Sequence, residues 1–162
     1  MQSKLSHCLW FDRQAEEAAR FYVSIFKGGK IENISHYTEE GFEIHGMPKG
    51  TVMTVDYEIL GLKYKALNGG PLFKFNEAFS IVVNCESQAE IDYYWTKLAK
   101  NEDEGQCGWL KDPFGVSWQI VPTVLSKMMS DPDSKKVQRV THSFLRMKKF
   151  NIAELERAFA GA

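Results

Sequence analysis

The feature that most constrains the fold of this chain is a strand-helix unit that occurs twice in its 162 residues. A short apolar stretch at residues 4–11 runs into a segment with helical periodicity at residues 14–26. The same order returns from residue 79 onward, and both helical segments open alike, because Gln14-Ala15-Glu16 recurs as Gln88-Ala89-Glu90. Repetition of this kind predicts two related modules.

The segments after each helix complete the modules. In the first module, strand-like segments at residues 30–38, 51–60 and 63–68 give the order βαβββ. In the second module, two strand-like segments flank the turn Asp112-Pro113-Phe114-Gly115, where proline presets φ at the second position. This second copy is shorter and has room only for a vestigial strand near residues 101–105.

The chain changes character after Pro122, where three short helices are predicted at residues 123–130, 134–147 and 151–159. We interpret them as a helical lid or as a dimer-packing appendage. The sequence therefore predicts a single α+β domain over residues 1–162. Its parts are a first module at 4–68, a linker at 69–78, a second module at 79–122 and C-terminal helices at 123–160.

Composition excludes several classes of protein. With 44% hydrophobic and 25% charged residues, the chain is not disordered, and a net charge of −1 argues against nucleic acid or an anionic membrane as a partner. No apolar run is long enough to span a bilayer, so we expect a cytoplasmic protein. The three cysteines fit a reducing compartment. Cys8 and Cys85 are predicted to be buried, inert thiols, whereas the sequence pattern assigns neither burial nor reactivity to Cys107.

Three long motifs resemble one known family. They are HCLWFDRQAEEAARFY at residues 7–22, LNGGPLFKFNEA at 67–78 and GQCGWLKDPFGVSWQIVP at 105–122. Together they resemble the PhnB-like branch, often labelled demethylubiquinone methyltransferase-like, of the vicinal oxygen chelate superfamily of glyoxalases, bleomycin-resistance proteins and extradiol dioxygenases. The resemblance implies two βαβββ modules that form a curved mixed sheet around a cup, with helices outside, and a homodimer.

Strand alternation suggests which residues would face that cup. Placing Cys8 and Trp10 under the first helix, and Trp118 and Ile120 under helices of the second module, leaves the alternate residues for the cup. The candidate ligand-contacting residues are then His7, Leu9, Phe11, Tyr64, Asn68, Phe75, Ser80, Asn84, Ser117 and Gln119.

The resemblance also locates the superfamily's metal ligands. Carried over one residue at a time, the four positions hold His7, Asn68, Ser80 and Gln119, so only the first keeps a typical ligand. Amide and hydroxyl oxygens leave the charge of a transition-metal ion uncompensated. We therefore expect no cofactor, and at most a weakly held divalent metal with His7 as its ligand.

Two functions from different classes stay open. The first is a module that binds a small metabolite in a cup without a tight metal. The second is an enzyme of the lyase, isomerase or dioxygenase type, in which His7 acts as a catalytic base or as the remaining ligand of a weak metal site. The methyltransferase activity in the family label is less expected, because neither Gly28-Gly29 nor Gly69-Gly70 joins a strand to a helix as a nucleotide-binding loop does.

Overall fold

The computed structural model describes residues 4–102 and 105–161. The chain forms two compact units, Met1–Phe75 and Asn76–Ala162. The boundary between them falls inside the predicted linker. No helix among the described residues is both long and apolar enough to cross a membrane.

The first unit is a four-stranded mixed sheet with one long helix. Its elements are β1 (His7–Phe11), α1 (Ala15–Ile25), β2 (Lys30–His36), α2 (Phe42–His45), β3 (Val52–Ile59) and β4 (Leu62–Asn68). The strand order is β1-β4-β3-β2, with β1 parallel to β4 and the other neighbours antiparallel. The predicted βαβββ order is confirmed, and a single-turn helix, α2, lies between β2 and β3.

Helix α1 forms because its apolar residues recur every three or four positions. Ala15, Ala18, Ala19, Tyr22 and Ile25 are all buried. The acidic residues of the first turn interact favourably with the positive end of the helix dipole. Glu16 also pairs with Arg20 one turn later. The buried stripe packs on β3 and β4, which fixes one face of the sheet as the helix-bearing face.

The second unit repeats the arrangement with one strand fewer. It contains β5 (Ile81–Cys85), α3 (Gln88–Leu98), β6 (Trp109–Lys111) and β7 (Ser117–Pro122), in the sheet order β5-β7-β6. Strand β5 is parallel to β7, as β1 is to β4, so the duplication extends to the strand pairing. The vestigial strand predicted near 101–105 falls partly on residues 103 and 104, which lie outside the described residues.

The turn between β6 and β7 is held by one carboxylate. Asp112 is fully buried and accepts hydrogen bonds from the backbone N–H groups of Phe114 and Val116 at 2.9 and 3.0 Å. It also accepts one from the Trp118 indole N–H at 2.9 Å. Three donors satisfy the charge, so a buried aspartate stabilises the hairpin instead of weakening it.

The three predicted C-terminal helices are present as α4 (Thr123–Met129), α5 (Ser134–Phe144) and α6 (Ile152–Ala160). They pack on the second unit through the segment before α6. Gln88 of α3 donates to the Phe150 carbonyl and accepts from the Ile152 N–H, and Phe150 is buried. The Gly108 N–H donates to the Lys148 carbonyl at 2.8 Å. These bonds make the helices an integral part of the unit.

Candidate functional site

In the first unit, the residues predicted to face a cup lie on the helix-bearing face. Tyr22 of α1 stacks on Tyr57 with ring centroids 6.0 Å apart, and Tyr57 stacks on Tyr64 at 5.3 Å. Ala66 and Asn68 lie two and four residues after Tyr64, so their side chains are on the same face of β4. Leu9 pairs with Ala66 and Phe11 with Asn68, which places Leu9 and Phe11 on this face as well. Leu9, Phe11, Tyr64 and Asn68 are each 3% exposed. The predicted face assignment for β1 and β4 is therefore wrong.

The error has a physical cause. Alternation divides a strand into two sets of side chains but does not say which set the helix covers. Cys8 and Trp10, assigned to the helix side for their apolar character, occupy the other face, and Cys8 is exposed. The Trp10 indole N–H donates to the Gly70 carbonyl at 2.8 Å. Its ring lies so close to Gly69 that a Cβ there would be 2.3 Å away, which explains that glycine.

Asn68 has a structural task. Its Oδ1 accepts a hydrogen bond from the Ala15 N–H at 2.8 Å, and its Nδ2 donates to the Val52 carbonyl at 2.9 Å. The N-cap residue of α1, Gln14, makes no side-chain capping bond, so Asn68 supplies an acceptor that the helix start needs. Both ends of this buried amide are thus committed to the backbone.

His7 and Phe75, the other candidates in this unit, lie at its periphery. The exposed His7 ring stacks on Tyr64 with centroids 5.1 Å apart, and the half-buried Phe75 packs edge-on against Phe11 at 5.2 Å. His7 pairs with Tyr64 and Phe11 with Asn68, four residues further along parallel strands. That separation is roughly 13 Å, so His7 and Asn68 are too far apart to bind one ion.

The helix-free face of the first sheet is charged, a feature that the sequence reading missed. Lys63 pairs with Glu32 and Glu58, and Lys65 pairs with Asp56. A cavity of about 390 Å³ beside them is lined by Ser6, Glu32, Asn33, Asp56, Lys63, Tyr64 and Lys65. This charged face could have been predicted from the sequence, because acidic residues alternate along β3 and lysines alternate along β4. In an antiparallel hairpin such residues pair directly across the two strands.

In the second unit, Trp118 and Ile120 are fully buried, and Ser117 and Gln119 point to the opposite face, as alternation predicts. This opposite surface, here called the amide face, carries the residues that register places beside Gln119. They are Ser80, Val82, Asn84, Trp109, Lys111, Ser117 and Gln119. Four predicted site residues, Ser80, Asn84, Ser117 and Gln119, are thus brought to one surface.

Gln119 stands at the centre of the amide face. It pairs with Val82 on one side and Trp109 on the other, and Val82 is 47% exposed. Its Nε2 donates to the Ser80 hydroxyl at 2.8 Å. Within the described residues, its Oε1 has no hydrogen-bond partner. The arrangement is a polar acceptor between an indole and an exposed valine.

A cavity of about 280 Å³ opens beside this centre, lined by Glu77, Gly105, Trp109, Leu110, Lys111 and Ser117. Lys111 pairs with Glu77 at 2.5 Å, and the hydrogen bond from Lys111 lowers the pKa of Glu77. The sequence reading missed these two charged residues, because a lysine and a glutamate 34 positions apart carry no local signal.

The environments of Cys8 and Cys85 do not favour a reactive thiolate. Burial raises the pKa of the Cys85 thiol to about 12, and desolvation also raises the pKa of Cys8. The prediction that Cys85 is buried is confirmed, whereas Cys8 is exposed, contrary to expectation. A thiolate is the reactive form of cysteine, so neither residue suits nucleophilic chemistry.

The donor set does not fit the metal that the superfamily implies. Asn68 is committed to the backbone, and Ser80 and Gln119 bond each other. No group of three or more His, Cys, Asp or Glu side chains in the described part of the chain could hold an ion. Neutral oxygens leave the charge of a divalent transition metal poorly compensated, so this donor set does not suit such an ion.

Comparison with known proteins assigns the family. The model of the 3-demethylubiquinone-9 3-methyltransferase family matches residues 3–121. A PhnB protein from Bacillus cereus, whose description carries the same methyltransferase label, is 32% identical over 75% of this chain and all of its own, with a TM-score of 0.63. This chain belongs to the PhnB-like family of the vicinal oxygen chelate superfamily.

Other solved structures resemble the PhnB-like chain more distantly. A Pseudomonas aeruginosa protein is 20% identical, with 75% of this chain and 98% of that chain covered and a TM-score of 0.56, which supports the fold alone. The fosfomycin resistance protein FosX from Listeria monocytogenes is 15% identical, with 75% and 93% covered and a TM-score of 0.49. No curated protein matches the sequence.

Proposed function

We propose that this PhnB-like protein binds a small polar aromatic or amphipathic metabolite on the amide face, without a tightly held metal. The observation that carries the proposal is the environment of Gln119. Its amide is fixed by Ser80, its carbonyl oxygen is available, and Trp109 and Val82 flank it. Ligand sites commonly combine apolar walls with a few placed polar groups, and this surface has that composition.

The chemistry of the surface suggests a class of ligand. Gln119 Oε1 is an acceptor, so it would bind an N–H or O–H group of the ligand. The Trp109 indole offers a flat apolar surface for a ring or an alkyl group. The nearby Lys111–Glu77 pair adds one charge of each sign at the edge. A neutral or zwitterionic metabolite with an aromatic part satisfies these groups best.

A thermal-shift screen with a panel of such metabolites, followed by calorimetry of the best one, tests the proposal. Substituting Gln119→Leu should weaken binding about tenfold, since one hydrogen bond to the ligand is worth about 1 kcal/mol or slightly more. Gln138→Leu, at an exposed amide on α5, is the matched control and should leave affinity unchanged. Equal affinity of the wild type and Gln119→Leu for every metabolite that binds would contradict this role of Gln119.

The enzymatic alternative rests on His7 and has weaker support. The His7 ring stacks on Tyr64 at the helix-bearing face of the first sheet, and the predicted partner ligand Asn68 is committed to Ala15 and Val52. The methyltransferase activity named in the family label also has weaker support. Gly69 and Gly70 follow β4 but lead to Pro71 and not to a helix, so they do not form a nucleotide-binding loop. Saturable binding of S-adenosylmethionine in calorimetry would reverse that judgement.

A further inference from the structure

Helix α5 carries a stripe of basic residues that the proposed function does not use. Lys135, Arg139, His142 and Arg146 follow each other at intervals of four, three and four residues, so they share one side of the helix and its end. With α6 they line an open groove of about 640 Å³. We call it the basic groove, and its remaining lining residues are Gln138, Ser143, Glu154 and Ala158.

The positive charge of the basic groove is largely uncompensated. Within the described part of the chain, Lys135, His142 and Arg146 form no ion pair, and Glu154 is the one acidic residue in the lining. The sequence shows the same imbalance on a larger scale. Residues 123–160 contain eight Lys and Arg against four Asp and Glu, whereas the rest of the chain contains twelve against seventeen. An anionic occupant would neutralise this local excess.

Arg139 gives the groove a fixed point. Its Nε donates to the Ala158 carbonyl and its Nη2 to the Phe159 carbonyl, both at 2.8 Å, at the C-terminal end of α6. Two backbone bonds hold the guanidinium in place, so the entropy lost on binding a ligand there is small. A guanidinium has five N–H donors, which leaves others for an occupant.

The dimensions of the groove indicate what could fill it. Lys135 and Arg146 are eleven residues apart, which corresponds to about 16 Å along a helix axis. A single phosphate cannot reach both ends. Lys135, Gln138, His142 and Arg146 are exposed, so the groove cannot enclose a metabolite as ligand pockets do. An extended peptide rises about 3.3 Å per residue, so five residues would cover the stripe.

We propose that the basic groove is a docking site for an acidic peptide segment of a partner protein. The segment would be extended, about five residues long, with Asp or Glu at alternate positions facing Arg139, His142 and Arg146. A nucleic acid fits less well, because DNA carries about one charge per 1.7 Å and would be repelled by the acidic remainder of the chain. The family match ends at residue 121, so the groove is separate from the features that define the family.

Fluorescence anisotropy with the full chain tests this docking site. The probe is a decapeptide of alternating Glu and Ser with a neutral fluorophore, and a Gln-Ser peptide is its uncharged control. The test variant is Lys135→Glu with Arg146→Glu, which spares the structural bonds of Arg139. The control variant, Lys127→Glu with Lys148→Glu, makes the same charge change at exposed lysines outside the groove lining. Circular dichroism confirms that both variants are folded.

We expect saturable binding of the Glu-Ser peptide at 20 mM salt, weaker binding at 300 mM salt and no binding of the Gln-Ser peptide. The groove variant should lose at least tenfold in affinity and the control variant less than threefold. Three results would overturn the proposal. They are an absence of saturable binding at 20 mM salt, an equal loss in both variants, and tighter binding of a single-stranded DNA decamer or of vesicles containing phosphatidylserine through the same residues.

Discussion

At the scale of single residues, the most instructive case is Asn68. The family resemblance places it at a position where metal enzymes carry a ligand, yet its amide bonds the start of α1 and the backbone of β3. A buried amide needs hydrogen-bond partners for its donor and acceptor groups, and here the backbone supplies one for each end of the Asn68 amide. The side chain therefore contributes to stability.

Substitution of Asn68 tests that conclusion. Asn68→Ala removes two buried hydrogen bonds and leaves the Ala15 N–H and the Val52 carbonyl without this partner, so we expect a loss of about 2–4 kcal/mol in the free energy of unfolding. Urea denaturation followed by circular dichroism measures it. Asn84→Ala, at an exposed amide of β5, is the control and should change stability by less than about 0.5 kcal/mol. Near-equal effects of the two substitutions would contradict the structural role.

The same residue shows where prediction from sequence stops. Alternation correctly separated Trp118 and Ile120 from Ser117 and Gln119, because a tryptophan and an isoleucine on one side of β7 made the buried face evident. In β1 both sets were apolar, with Leu9 and Phe11 against Cys8 and Trp10. Only the stacking of Tyr22, Tyr57 and Tyr64 decides that case, and it depends on the packing of α1.

At the scale of elements, the strands and helices followed from local pattern, but the docking of the C-terminal helices did not. Local sequence pattern predicted α4, α5 and α6, since that signal is contained within each helix. Their attachment depends on contacts between distant residues, such as Gln88 with Phe150 and Ile152. The expectation of a lid or a dimer-packing appendage did not include these contacts.

Gly108 is the point at which this attachment can be tested. Its φ is +81°, and a Cβ there would lie 2.4 Å from the Phe150 ring and 2.8 Å from the Ile120 carbonyl oxygen. Gly115 has a φ of +88°, but a Cβ would meet nothing within 4 Å. Gly115→Ala should therefore lose about 1 kcal/mol from backbone strain alone, and Gly108→Ala at least about 2 kcal/mol more from the clash.

Thermal denaturation of both glycine variants gives the comparison directly. The difference between the two losses matters more than either value, because the backbone strain is shared and the contact with Phe150 is not. If Gly115→Ala destabilised the protein as much as Gly108→Ala, the C-terminal helices would not be anchored at Gly108.

At the scale of the whole molecule, duplication explains the architecture better than composition does. Both sheets pair the first strand of a module in parallel with its last strand, and each carries its long helix on one face. The repeat was readable from Gln14-Ala15-Glu16 and Gln88-Ala89-Glu90 and indicated two related modules, and three long motifs indicated the family. The charged partners on the open face of the first sheet, such as Lys63 with Glu58, became evident only from the register of the strands.

The most direct test of the central claim is a crystal structure of this PhnB-like protein with the tightest metabolite from the thermal-shift screen, purified without chelator. We expect the metabolite on the amide face, with a donor group within hydrogen-bond distance of Gln119 Oε1, its apolar part against Trp109 and no metal ion in contact with it. A metabolite bound away from Gln119, or one held by a metal ion that His7 coordinates, would contradict the account.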